Sequence, residues 1–407
     1  MRKTDEFYIF LAFAALFVGI LSPAFPSTSN SVVIGNTGNV STTTVIAKSG
    51  SIDDVQAAIN AVHAQGRGTV IIPAGTFAFN PNGTAIGVNG QPCGVISFGG
   101  INIIGAGAGQ TILQETVDPP TVSGYGCSMI TVNGNNKLPF RISGIKFQGY
   151  TGKTNENSGA NGLIVCGAWD YRVDNCWFDS FDGGAIVAEN AGVNGLNRGV
   201  IDHCKITETY KQNTPPAGGW VWAYGVIVWD IAASAWNSND TSLLGQYYGT
   251  YDVAYIEDCT FDQCRHAVSE SQNGYYVLRY CNITNAVPRN YGSIDVHGFN
   301  NGRGCEAYNN IVTATLGYSG AQASWLRGGM STVFNNTFVN CASGVSLYYE
   351  GGHPVYNTYI WSNTMQGGGT AFVNNAPANY TENVSYFLYA RPSYMPFTYP
   401  HPLTLAS

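Results

Sequence analysis

A six-residue pattern recurs eight times between residues 142 and 365, and few architectures can accommodate it. It reads aliphatic, two variable residues, a small or polar residue, one variable residue, then apolar. The copies are Ile142–Phe147, Val173–Phe178, Ile201–Ile206, Ile256–Phe261, Leu278–Ile283, Glu306–Ile311, Val333–Phe338 and Ile360–Met365. Their starts lie 31, 28, 55, 22, 28, 27 and 27 residues apart, so the interval of 55 holds one hidden copy, carried by the apolar run Tyr224–Asp230. Inside–outside alternation of this kind marks β-strands. Self-similarity at a period near 27 marks a solenoid, in which each coil buries its apolar face against the next. With 50 glycines, 13% aromatic and only 11% charged residues, the chain suits many short strands joined by tight turns, and disorder is excluded.

The fourth position of the pattern reads Ile145, Cys176, Cys204, Cys259, Cys281, Asn309, Asn336 and Asn363. Neighbouring parallel strands lie about 4.8 Å apart, so these side chains are expected to stack as a column inside the coil. Buried cysteine behaves as a small hydrophobe, and stacked asparagine amides bond along a column. Core packing therefore accounts for seven of them, rather than metal binding or catalysis. Cys93 and Cys127 flank glycine-rich turns ahead of the column and are the expected disulfide pair if the compartment is oxidising.

Residues 1–24 read as a signal peptide: Arg2 and Lys3, an apolar run from Phe7 to Leu21, then Ser22-Pro23-Ala24. The run is shorter than the roughly 20 residues that span a bilayer, so a secreted or cell-surface protein without a stable membrane span is expected. A lead-in covers 25–50, the solenoid 51–375 with an aromatic-rich insertion at about 207–253, and a proline- and tyrosine-rich cap or tail 376–407. A net charge of −7 without any Lys/Arg cluster argues against a nucleic-acid partner.

Within 51–77, Ser51 and Asp54 form a capping-box-like start, and Val55, Ile59 and Val62 share one helical face. Gly66 and Gly68 break the helix before the strand Thr69–Ile72 and the turn Pro73-Ala74-Gly75. This stretch resembles the N-terminal cap of the pectate-lyase-like superfamily of right-handed parallel β-helix proteins. The resemblance implies an all-β single right-handed parallel β-helix with an N-terminal capping helix. It leaves function open among polysaccharide lyases, glycoside hydrolases, tailspikes and adhesins.

Enzymes of this fold place their sites on one outward face of the coil. In Ile294-Asp295-Val296-His297, alternation leaves Asp295 and His297 outward. The same parity assigns His266 and Glu270 one coil earlier, and Trp325 and Arg327 one coil later. Glu270, Asp295, His297, His266 and Arg327 are thus the candidate catalytic strip, with Arg265, Arg279, Glu350 and His353 at adjacent turns or strands as substrate contacts. In hydrolysis Glu270 and Asp295 would be the carboxyl pair. In β-elimination His297 or an arginine would act as base while Arg327 or a cation neutralises the developing charge. Glu189, Asp230 and Glu270 fall on successive coils and are candidate Ca²⁺ ligands, the one cofactor considered. Neither the Arg-Ile-Lys of polygalacturonases nor the Trp-Ile-Asp-His of pectate lyases is present, which leaves lyase against hydrolase open.

Trp220, Trp222, Trp229 and Trp236 crowd the insertion with Tyr224, Tyr247, Tyr248 and Tyr251. Together with Trp325 they would stack on sugar rings, or else form a satellite core that holds the loop down. A polysaccharide or glycan is the expected partner. The alternative is a non-catalytic glycan-binding, adhesin-like or structural surface protein.

Overall fold

The computed structural model describes residues 43–81, 85–87, 90–118, 127–152, 160–189, 197–207, 209, 223–230, 247–285, 292–298, 302–314 and 321–405. The signal-peptide segment and Trp220, Trp222 and Trp236 lie outside the described residues.

Strand order follows directly from the repeat. Three sheets of twelve, ten and eleven strands run the length of the coil. The chain visits them in a fixed cycle: Trp169–Asp174 in the first, Trp177–Asp179 in the second, Gly184–Glu189 in the third, then Arg198–Asp202 back in the first. Apart from the antiparallel Ala85–Ile86, each strand pairs in parallel with its equivalent one coil later, so Ile142, Val173, Ile201, Ile256, Leu278, Ala307, Val333 and Ile360 form one continuous column. Ile201 pairs directly with Ile256, so the expected hidden copy is corrected: Tyr224–Trp229 is the third-sheet strand of the single coil that starts at Arg198. Side chains from the three inner faces fuse into one core that extends from Ala47 to Tyr386.

The corner between the first and second sheets is the same in coil after coil. One residue there adopts a left-handed backbone, with φ of 51° at Asn175 and His203, 54° at Asp258, 58° at Asn309 and 54° at Asn335. The next residue points inward. Cys204 and Cys259 reach carbonyls one coil earlier, Val173 O and Ile201 O, each at 3.5 Å. In the later coils an asparagine does more. Nδ2 of Asn310, Asn336 and Asn363 donates to Leu278 O, Ala307 O and Val333 O at 2.9, 2.9 and 3.0 Å. Their Oδ1 atoms accept from the main-chain N–H of Cys281, Asn310 and Asn336. The amide thus satisfies backbone groups that the corner removes from the strand ladder. The column residue is therefore Asn310, and the expected Asn309 is the corner residue beside it. That copy of the pattern starts at Ala307, opposite Leu278.

The disulfide expectation is corrected. All ten cysteines are buried thiols and none is bridged. Cys93 lies opposite Ser128, which leaves Cys127 one residue out of register. Burial pushes the Cys93 thiol up to about 11, in keeping with an inert core residue.

The helix Ile52–His63 buries Val55, Ala58, Ile59 and Val62, and Ser51 Oγ accepts from Asp54 N at its start. Gln56 bonds both N (2.8 Å) and O (3.0 Å) of Ile96, on the strand Pro92–Phe98. At the other end, Tyr386–Phe387 adds a last strand to the first sheet. The chain then runs back over that sheet's outer face, with Tyr394 against Phe334 and Trp361, Phe397 against Tyr255, and His401 N on Glu257 at 2.9 Å. No helix among the described residues is long and apolar enough to cross a membrane.

Candidate active site

Position along the third sheet is decided by a bulge. In the strand His266–Ser271 both Ala267 and Val268 enter the core. Their N–H groups share one acceptor, Ser293 O, at 2.8 and 3.1 Å. Two consecutive inward residues reverse the parity of everything after them. His266 and Ser269 face outward, whereas Glu270, expected outward, lies opposite the core residues Val228 and Val296 and faces inward. Its carboxyl lies so close to Gly302 that a Cβ there would meet Glu270 Oε1 at 1.9 Å. Burial, reinforced by the nearby Asp295 charge, holds it well above the usual carboxyl range.

Asp295 is the centre of the outward cluster and is fully buried. It accepts from Ser269 Oγ at 2.7 Å and from Arg327 through Nε (3.0 Å) and Nη2 (2.7 Å). From below, Tyr276 OH donates to its main-chain oxygen at 3.1 Å. Burial opposes its charge, but Arg327 and His297 hold its carboxyl well below the usual range. Glu350 closes the other side: it pairs with Arg327 Nη1, lies 3.3 Å from His297 Nδ1 and accepts from Gly298 N at 3.2 Å. Against burial, His297 and Arg327 lower it too.

His297 sits between these carboxylates. Its Nε2 lies 3.0 Å from Asp295 Oδ2 and 2.7 Å from Arg327 Nη2. The protonated ring donates to Asp295, and the neutral ring accepts from Arg327. The imidazole therefore gains or loses a proton at Nε2 without losing a partner. Burial favours its neutral form, yet Asp295 and Glu350 prevail and raise its pKa above the ordinary value. The side chain remains 18% exposed and Glu350 25%, against none for Asp295.

His266 is different in kind. It is fully buried, and burial pushes its pKa down to about 3, assisted by Arg265 and Arg327. The neutral ring donates through Nδ1 to Gly292 O at 2.5 Å, which leaves the lone pair on Nε2, 3.9 Å from Asp295 Oδ2. Tyr224 and Trp325 pack against it, with ring centroids at 5.0 and 6.1 Å. Half-buried Trp325 and Tyr348, 5.2 Å apart, form an aromatic shelf, with the Arg327 guanidinium 5.5 Å from the Trp325 ring.

Arg265 lies 5.6 Å from the Tyr224 ring, and the main chain of His353 bonds Gly298 O at 3.0 Å, so both border the cluster. Arg279 does not. It projects from the first sheet, fully buried under the C-terminal segment, and bonds Glu257, Tyr308, Phe397 O and Thr398 O. Trp229 is 1% exposed in a cluster with Ile164, Cys166 and Ile227, so it offers no open ring face. The proposed calcium set does not assemble: Cys166 Sγ donates to Glu189, Asp230 lies 3.8 Å from Arg303, and Glu270 faces inward. Among the described residues no three His, Cys, Asp or Glu side chains converge to hold a metal ion. Alternation within single strands does not reveal Ser269 or Tyr348 as members, nor Tyr224 as a neighbour of His266. Stacking the coils in register does place Tyr224 opposite His266 and Ser269 opposite Asp295.

The sheet arrangement makes this chain a right-handed parallel β-helix protein with a pectate-lyase-like fold. No family model matches the sequence. Over 102 residues the chain is 31% identical to the mannuronan C5-epimerase AlgE3 of Azotobacter vinelandii, a match that covers 21% of this chain and only 5% of that protein. Among solved structures, ORF18 of Geobacillus virus E2 is similar with a TM-score of 0.49 and 13% identity, covering 79% of this chain and 56% of that one. The tailspike of Escherichia coli bacteriophage HK620 has a TM-score of 0.43 at 16% identity, covering 84% and 60%.

Proposed function

We propose that the protein is a secreted polysaccharide-active enzyme that removes the C5 proton of a uronosyl residue in an acidic glycan. The observation that carries this reading is His297 Nε2, which has a donor beside it for the neutral state and an acceptor for the protonated state. A base that keeps a partner in both states needs little rearrangement during proton transfer. In this reading neutral His297, held by Arg327, takes the proton, and the resulting imidazolium is stabilised by Asp295. Arg327 and Arg265 supply positive potential where the sugar carboxylate gains electron density. With His297 protonated, three cations face two carboxylates, which favours an anionic polymer. In β-elimination the C5–H electron pair becomes the C4–C5 double bond, and the C4–O bond breaks with its pair on the leaving oxygen, which takes a proton from solvent. The local similarity to an enzyme named for change at C5 of mannuronan supports the same first step.

Hydrolysis is less well supported. It needs one carboxyl held protonated at the working pH, and both outward carboxyls are held low. The carboxyl that burial raises, Glu270, faces inward.

The test is incubation of the protein with a panel of uronic-acid and neutral polysaccharides. Expected are unsaturated ends seen by ultraviolet absorbance, or deuterium entering C5 in heavy water, and loss of both in His297→Ala. Reducing ends released from a neutral polymer without unsaturation would overturn the proton-abstraction reading in favour of hydrolysis. Silence on every polymer with retained binding would favour a non-catalytic glycan-binding protein, with the Trp325–Tyr348 shelf as its contact.

A further inference from the structure

Glu350 differs from the other members of the cluster in how the fold holds it. His266, Ser269 and Asp295 lie on third-sheet strands, and His297 and Arg327 directly follow such strands, so the stacking of the coils places all five. In that register Tyr348, directly after Leu347, is the successor of Arg327. Glu350 comes two residues later, in the loop between the strand Ser343–Leu347 and the bridge residue Val355. From there it reaches back past Arg327 to the coil of His297. The loop is fastened on either side of it, by Tyr348 N on Leu326 O and His353 N on Gly298 O, each at 3.0 Å. Gly351 and Gly352, with φ of 86° and 71°, follow Glu350 directly, and a Cβ at Gly351 would meet nothing within 4 Å. Glycines in open space give the backbone beside Glu350 freedom that no other member of the cluster has.

The Glu350 carboxylate rests among three donors of different kinds: Nη1 of Arg327, the main-chain N–H of Gly298 at 3.2 Å and Nδ1 of His297 at 3.3 Å. Such a set accepts any carboxylate that arrives in the same place. Arg327 already serves two carboxylates, Asp295 and Glu350, and the Asp295 charge pushes against ionised Glu350. A third carboxylate on these donors would be repelled, whereas one that replaces Glu350 leaves the local charge unchanged. Asp295 is not the one to leave, since it is fully buried with Ser269 and Tyr276 behind it. Glu350 is 25% exposed and stands on the glycine-flanked loop.

We propose that Glu350 plugs a carboxylate-binding site formed by Arg327 Nη1, Gly298 N and His297 Nδ1, and that a uronosyl carboxylate enters the site as Glu350 swings out. This inference rests on the acidic-glycan reading for the identity of its ligand. Nδ1 and Nε2 face opposite sides of the imidazole, so the unit held at Nδ1 is a neighbour of the one whose proton Nε2 takes. The site therefore selects a polymer with acidic units in succession. A neutral glycan has nothing to exchange for Glu350 and leaves the plug in place.

Calorimetric titration of wild type and Glu350→Ala with D-glucuronate tests this. The variant is expected to bind about tenfold more tightly, because the plugged state no longer competes for the donors, and neither protein is expected to bind D-glucose. Where a uronan is turned over, KM should fall by a similar factor. If Glu350→Ala melts early, Glu350→Gln takes its place, with the same direction expected. Glucuronate binding that is unchanged or weaker in the variant, or an equal gain for D-glucose, would overturn the site. So would a fall in kcat at unchanged KM, which would make Glu350 a fixed partner of His297. Glucuronate binding is read without turnover, so a variant that gains this affinity while every polymer stays intact would refute the proposed reaction and keep the site.

Discussion

Two arginine–carboxylate clusters lie on different faces of this coil, built from similar parts and put to different ends. On the first sheet, Arg279 meets Glu257 at 2.6 Å with both side chains wholly buried, and Tyr308 and two tail carbonyls take the rest of its donors. On the third sheet, Arg327 meets Asp295 at 2.7 Å, but its other neighbours are a carboxylate and an imidazole that water still reaches. The titrating groups diverge accordingly. Burial keeps Glu257 and Glu306 above the ordinary carboxyl range, whereas His297 and Arg327 hold Glu350 below it. A buried ion pair whose donors are consumed by main chain works as a fastening. One whose partners are themselves titratable and partly exposed is equipped to exchange protons with a substrate.

The largest effect is expected at Arg327→Met. It strips Asp295 of its main partner, so turnover of the glycan is expected to fall about 10²–10³-fold, with roughly 3 kcal/mol of stability lost. Activity within tenfold of wild type would erase the distinction between the clusters. Arg279→Met is the mirror experiment. Leaving Glu257 and two tail carbonyls unpaired is expected to cost about 3–5 kcal/mol in denaturant unfolding, with activity per folded molecule retained. A large loss of turnover in still-folded Arg279→Met would break the comparison from the other side.

The pH dependence sharpens it. Asp295 has a lowered pKa, so its contribution is present above the unfolded value of about 3.9 and fades as pH falls below it. His297 has a raised pKa, so its contribution is full below about 6.5 and is lost as pH rises through the folded value. Unfolding free energy should therefore decline on the alkaline side over the same interval in which turnover rises, if the neutral imidazole is the base as proposed. Titration of both in one buffer series checks this, and His297→Gln should flatten both trends. The smallest effect is expected at Glu270→Met. Neither oxygen of Glu270 makes a hydrogen bond of good geometry, and a raised carboxyl loses stability as pH climbs above about 4.3. The variant should be more stable than wild type at pH 8 by about 1 kcal/mol, read as a higher melting temperature.

The coil, its period and its inner column were legible because they rest on local alternation repeated many times. Errors came where one residue broke the count, or where an insertion stretched one coil to 55 residues and made it read as two. Glu306 occupied the aliphatic slot of its copy and drew the frame off by one, so Asn309 stood in for Asn310. The double inward step at Ala267–Val268 moved Glu270 to the interior while leaving Asp295, His297 and Arg327 correctly outward. Nothing near Arg279 in sequence marks its fate, because its partners Phe397 and Thr398 come 118 and 119 residues later. Trp229 reads as a sugar platform by composition, and only the packing of Ile164, Cys166 and Ile227 around it says otherwise.

A solenoid ordinarily unravels from its termini, one repeat at a time, because each repeat touches only its neighbours. The returning segment changes that for the second half of this molecule. Its anchors at Glu306, Arg279 and Glu257 sit several repeats upstream of the last coil, so peeling away the final repeats first requires releasing contacts near the middle. Pulled from its C-terminus, the chain should hold until those anchors yield and then give way over several coils together, in the manner of a belt drawn back through its buckle.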